Sequence, residues 1–146
     1  MKNSLRCSAG FSLVELTLAL GIAAFCLIAV LGLVPVAALT NRNATSQTAA
    51  TNIIASVIAD MRATTSSTSP QYNITFGTAK TLYFDGAGQF TTSLGANSRY
   101  RVRVTFPLSP SGLSYADVKA TWPAPVDPAT TTPSGSVEIF AAFDRN

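Results

Sequence analysis

The stretch LTLALGIAAFCLIAVLGLVPVAALTN, residues 16 to 41, decides how the chain is organised. It carries no charged side chain over 26 residues, and as a helix it reaches about 39 Å at ~1.5 Å per residue. That exceeds the ~30 Å hydrocarbon core of a bilayer. Lys2 and Arg6 precede the run, and the positive-inside tendency then keeps the N-terminus cytoplasmic and sends the rest of the chain across. Pro35 lies within it, removes one backbone hydrogen bond and crowds the preceding turn, so a kink is expected near residues 31 to 35.

Working outward from the C-terminal end, the helical pattern continues. Ala50, Ile53, Ile54, Val57, Ile58 and Met61 follow i, i+3, i+4, i+7, i+8, i+11, with Asn52, Ser56, Asp60 and Arg62 off that stripe. Residues 42 to 63 are thus predicted to be an amphipathic half-helix with one face to bury. The run Thr-Thr-Ser-Ser-Thr-Ser-Pro at 64 to 70 is poor in helix formers and reads as the stop and the linker.

After it the period changes to two. Tyr72, Ile74 and Phe76 alternate with Asn73 and Thr75, and Tyr100, Val102, Val104 and Phe106 alternate with Arg99, Arg101, Arg103 and Thr105. Both read as half-buried strands. Thr81 to Phe84 and Gln89 to Thr92 form a candidate hairpin across Asp85-Gly86-Ala87-Gly88. Val118 to Trp122 and Val137 to Phe143 would complete the sheet, and Pro123 to Gly135, with four prolines, reads as an irregular loop. The fold class is therefore α+β: a long N-terminal helix, half transmembrane and half packed on a head, then a mainly antiparallel sheet of four to six strands. Tyr100, Val102, Val104 and Phe106 are expected to face Ile54, Val57, Ile58 and Met61.

Composition narrows the function. A chain of 146 residues has room for one anchor and one small head. The net charge is +3, but two of the ten basic residues, Lys2 and Arg6, precede the apolar run, which leaves eight against seven acidic ones. No nucleic-acid partner is predicted from that balance. Cys7 and Cys26 lie before or within the run, so the head is expected to hold together without disulfides. Histidine is absent, which removes the commonest general base, the usual triads and nearly all zinc catalysis. The chain reads as a non-enzyme, with no catalytic residue, cofactor or metal ligand assigned.

The N-terminal edge of the run is unusual. A conventional signal peptide has an apolar core of about 7 to 15 residues and a small-residue cleavage site at its far end. Here the run is longer, and Glu15 stands at its start, where a carboxylate in lipid costs of order 2.5 to 3.5 kcal/mol. The segment Ser8-Ala9-Gly10-Phe11-Ser12-Leu13-Val14-Glu15-Leu16-Thr17-Leu18-Ala19-Leu20 resembles the cleavage and methylation motif of type IV pilins and type II secretion pseudopilins. That resemblance implies a leader of residues 1-10, cut after Gly10 by prepilin peptidase, with N-methylation of the new terminus at Phe11. Glu15 matches the family's acidic residue, fifth of the mature chain, and is carried over as an assembly residue.

The resemblance implies a pilin-like lollipop: leader 1-10, transmembrane and filament-core helix 11-41, amphipathic half-helix 42-63 and β-sheet head 64-146. It further implies a minor pilin or pseudopilin of a type IV pilus or type II secretion-like filament, partnered by other pilin or pseudopilin subunits. Its expected location is the bacterial inner membrane, single-pass with a periplasmic head, and then the filament. Gln47-Thr48-Ala49-Ala50-Thr51-Asn52 and Gly135-Ser136-Val137-Glu138 are similar to the prepilin-like group known as Verru_Chthon cassette protein B. The rival class is a membrane-tethered or filament-tip binding module, an adhesin or sensor that uses the same export route. A third reading, conventional secretion, would cut after Val36-Ala37-Ala38 and release a product beginning near Leu39.

Several local patterns have plainer explanations. Asn43-Ala44-Thr45 and Asn73-Ile74-Thr75 match the glycosylation tripeptide, a frequent chance match. Asp85 among its glycines reads as a hairpin turn rather than a calcium loop, which needs six or more oxygens. Cys26 reads as a packed membrane cysteine. Arg99, Arg101 and Arg103 share a strand face and read as a solvated face guarding a sheet edge, the alternative being a contact for an acidic neighbour.

Overall fold

The computed structural model describes residue 10, residues 12 to 107 and residues 113 to 144. Leu13–Ala63 form one helix, α1, which runs through Pro35. The chain divides after Asn41 into two compact units. In the first, every described residue of α1 is exposed.

In the second unit the apolar stripe is one-sided as its spacing requires. Ala50, Ile53, Ile54, Val57, Ile58 and Met61 are all buried, and the stripe extends one turn further back to Ser46. Its partner is a five-stranded antiparallel sheet: β1 (Lys80–Asp85), β2 (Phe90–Thr91), β3 (Ser98–Thr105), β4 (Leu113–Trp122) and β5 (Gly135–Asp144). The strand order is β2-β1-β3-β4-β5. The α+β layout read from the periodicity is the observed one.

Register places the apolar positions of neighbouring strands opposite one another. Val102 pairs with Leu82 on one side and Ala120 on the other, while Val104 lies opposite Val118. Tyr100, Val102 and Val104 are fully enclosed in one cluster with Ile54, Val57, Ile58 and Met61, and Phe106 packs against it half-buried. The β1–β2 hairpin forms at Asp85-Gly86-Ala87-Gly88, with Gly88 at φ 80°, a conformation that favours glycine. Asp85 Oδ1 accepts the backbone N–H of Ala87 at 2.9 Å and of Gln89 at 2.8 Å, so its carboxylate serves the turn.

One local expectation needs correction. Tyr72, Ile74 and Phe76 are covered in the predicted alternation, but they are not a strand; only Thr68 and Thr75 form an isolated bridge. The reason is backbone conformation. Asn73 sits at φ 52°, which turns the chain out of the extended region. The segment 64 to 70 stops the helix at Ala63 as expected, and it is anchored: Ser69 is buried, donates its N–H to the Ile74 carbonyl and accepts the Ile74 N–H on its hydroxyl.

Asp60 holds this turn in place. Although it falls off the apolar stripe, it is only 8% exposed. Its two carboxylate oxygens accept the backbone N–H groups of Gln71 at 3.2 Å and Tyr72 at 3.1 Å. A segment without sheet partners must satisfy its N–H groups elsewhere, and a carboxylate on the adjoining helix does so. Replacing Asp60 with Ala orphans both donors and should cost about 1–3 kcal/mol. Asp60→Asn, which keeps one acceptor oxygen, should lose less. Urea unfolding of the three chains orders them, and equal midpoints would show that Asp60 does not hold the turn.

Candidate functional site

The residues singled out by the N-terminal motif fall at the start of α1. Gly10 is exposed and precedes the helix; Phe11, the expected methylation position, lies outside the described residues. Ser12 is the residue before the helix, and its carbonyl accepts the Leu16 N–H at 3.1 Å, the first intrahelical bond. Glu15 is therefore the third helical residue, exposed in the first turn. Ser12-Leu13-Val14-Glu15 has the S-x-x-E spacing of a capping box. A carboxylate there also faces the positive end of the helix dipole, worth about 0.3–1 kcal/mol. Sequence reading had left Ser12 without a role.

Beyond Glu15 the helix surface is apolar on all sides. From Leu13 to Leu39 every large apolar side chain is at least 56% exposed, with Phe25 at 74% and Ile28 at 70%. A soluble monomer rarely shows contiguous apolar patches above a few hundred Å², and a helix apolar all round belongs in lipid or among other helices. α1 is long and apolar enough to cross a membrane, a layout compatible with a single-pass membrane protein.

The head offers a second set of polar groups. Arg99, Arg101 and Arg103 share one strand face; Arg99 and Arg103 are exposed, as a solvated face requires, whereas Arg101 is not. Arg101 is half-buried, with its guanidinium 3.0 Å from the Asp127 carboxylate, its Nε donating to the Ala124 carbonyl at 3.0 Å and the Tyr83 ring 5.8 Å away. Arg99 donates to the Ser46 hydroxyl on α1 at 3.0 Å and lies 5.9 Å from the Tyr100 ring centroid. These arginines tie strand to loop and strand to helix.

On the outer sheet face Lys119 and Glu138 form an ion pair at 2.7 Å, exposed enough to be worth only ~0–1 kcal/mol. Asp117 is different. It lies opposite Thr105 and Phe140, and its Oδ1 is buried with no hydrogen-bond partner among the described residues. Burial, and after it repulsion from the Glu138 carboxylate, raises its pKa above the ordinary 3.8, while Lys119 and Thr105 offset part of the effect. The described residues include no group of three or more His, Cys, Asp or Glu able to hold a metal.

Comparison with protein-family models, curated proteins and solved structures finds no match for the chain.

The raised pKa of Asp117 fixes the sign of a pH effect. The folded chain holds this proton more tightly than the unfolded chain, so the stability it contributes is complete below about 3.8 and is lost as pH rises through the raised value. Asp117→Asn should therefore be more stable than the parent at neutral pH, by up to ~1 kcal/mol after solvent screening. The advantage should vanish below pH ~4. Denaturation midpoints across that range test it, and an advantage confined to acid pH would reverse the assignment.

Proposed function

We propose that the chain is a minor pilin or pseudopilin, a structural subunit assembled into a type IV pilus or type II secretion-like filament after its leader is cut following Gly10. The observation that carries this reading is an exposed apolar helical segment with a lone acid, Glu15, in its first turn, on a chain whose remainder forms a sheet-based head. Apolar helices of this kind bury themselves first in lipid and then against one another, and repetition of one head-to-tail contact without closure yields a helical filament. Prepilin peptidase and other pilin or pseudopilin subunits are the partners of this reading, and its setting is the bacterial inner membrane with the head periplasmic.

Glu15 supplies the selective step. Cleavage after Gly10 leaves the amine of Phe11 four residues from Glu15, a spacing that shares a helix face. The pair closes within one subunit or between neighbours. A buried pair adds little net stability, because desolvation offsets the attraction, but an unpaired charge is strongly penalised and so selects one docking position. Glu15→Leu should leave membrane insertion and cleavage intact while lowering incorporation into filaments about tenfold or more, the ratio set by ~1.4 kcal/mol per decade. Intact mass of the mature chain checks the processing step, which should leave methylated Phe11 at the N-terminus. A product that begins near Leu39 would overturn the filament reading, and equal incorporation of the Leu variant would remove the role of the carboxylate.

A further inference from the structure

An open groove of about 570 Å³ lies at one end of the sheet, lined among others by Asn97, Ser98, Arg99, Trp122, Pro123 and Pro125. Trp122 is the only tryptophan in the chain. Part of its placement is structural. It sits opposite Gly135 in the β4–β5 register, where an added Cβ would come within 2.2 Å of the indole ring, and it packs edge-on to Tyr100 at 6.2 Å. An aromatic covering a cross-strand glycine is a familiar way to stabilise such a pair. That accounts for the tryptophan but not for an exposed arginine, an exposed asparagine and two exposed prolines around the same opening.

The position of the groove along the chain gives it a partner. Arg99 is bonded to Ser46, and Ser46 is five residues past Asn41, the end of the uncharged run. Chain connectivity alone keeps Ser46 within about 18 Å of that end, whatever path the backbone takes. The chemistry suits a site close to a bilayer surface. Tryptophan is enriched at membrane–water interfaces, where its apolar body and N–H donor are both satisfied, and a cation near an anionic lipid surface gains about 1 kcal/mol. Arg42 is the first charge after the run. The nearby acids are engaged elsewhere: Asp85 serves the hairpin turn and Asp127 pairs with Arg101.

We infer that this groove docks on the bilayer surface, with Trp122 among the lipid glycerol groups and Arg99 on the phosphate of an anionic phospholipid. The inference rests on the membrane-spanning reading of residues 16 to 41 and is independent of filament assembly. Docking holds the head against the membrane.

Trp122 reports on its own site. The full-length chain is reconstituted into phosphatidylcholine vesicles with or without phosphatidylglycerol, and into matched vesicles whose lipids carry bromine at the top of the acyl chain. Tryptophan emission should shift to the blue and be quenched by bromine, more strongly when phosphatidylglycerol is present. Arg99→Gln should weaken the docking constant read from quenching about fivefold, the factor equivalent to one surface cation. Arg99→Lys, which keeps the charge, should restore the response to phosphatidylglycerol. Unchanged emission in a chain that floats with the vesicles overturns the inference and leaves the anchor standing. Failure to float removes the anchor and the docking together. Emission that responds equally to inorganic phosphate added to phosphatidylcholine vesicles would make the groove a soluble-anion site and overturn the lipid assignment, as would loss of the response in both Arg99 variants.

Discussion

Burial of Ile53, Ile54, Val57, Ile58 and Met61 against the inner face of the sheet is the contact on which the second unit depends. At roughly 1.5–3 kcal/mol for each large apolar side chain fully removed from water, these five approach the whole net stability of a typical domain, about 5–15 kcal/mol. Without the helix, the inner-facing Val102, Val104 and Val118 would also be open to water. The sheet therefore cannot be understood apart from this part of α1. The polar links between them are fewer and play a different part: Asp60 to the backbone at 71 and 72, Ser56 to the Tyr72 hydroxyl, and Ser46 to Arg99. Hydrogen bonds of this kind add little net energy but penalise any arrangement that leaves them unmade. They set the register of helix against sheet.

The same physics runs in reverse before Asn41. There the helix has no polar face, and its side chains are exposed all round. The surface of α1 thus has two characters, and the change falls where its sequence passes from uncharged and apolar to mixed. Arg42, Asn43, Thr45 and Gln47 mark it. A one-sided stripe buries against protein, whereas an all-round apolar surface requires lipid or several neighbouring helices.

Much of this was legible because period and burial coincide. The alternation read over 99 to 106 is β3, observed at Ser98–Thr105, and the hydrophobic spacing from Ala50 to Met61 identified the buried face correctly. Where the reading failed, backbone conformation or a polar partner overrode the pattern. Tyr72 and Ile74 are buried at alternate positions, yet Asn73 in the left-handed region breaks the strand. Asp60 is off the stripe but enclosed, because its partners lie eleven and twelve residues further on, and nothing in local spacing reveals them. β4 begins at Leu113 rather than Val118; Ala116 and Asp117, a small residue and a charged one, blurred the alternation. The roles of Ser46 and Arg99 emerge only when residues 53 positions apart meet.

Glu15 brings two local effects to one position. As the third residue of α1 it sits where the dipole and the free N–H groups of the first turn favour a negative charge. That benefit, of order 0.3–1 kcal/mol, is smaller than the ~2.5 to 3.5 kcal/mol cost of an acid deep in lipid. Helix capping alone therefore cannot offset burial of the carboxylate. If residue 15 stays near the interface, the dipole and water suffice and no partner is required. If it is drawn into an apolar packing of helices, the balance turns unfavourable and a cation must be supplied. In the proposed mature chain, cut after Gly10, the new amine of Phe11 would stand four residues from Glu15, a spacing that shares a helix face. A carboxylate tolerated at the membrane surface and demanding a partner in an apolar core discriminates between those two settings, which a leucine at the same position would not.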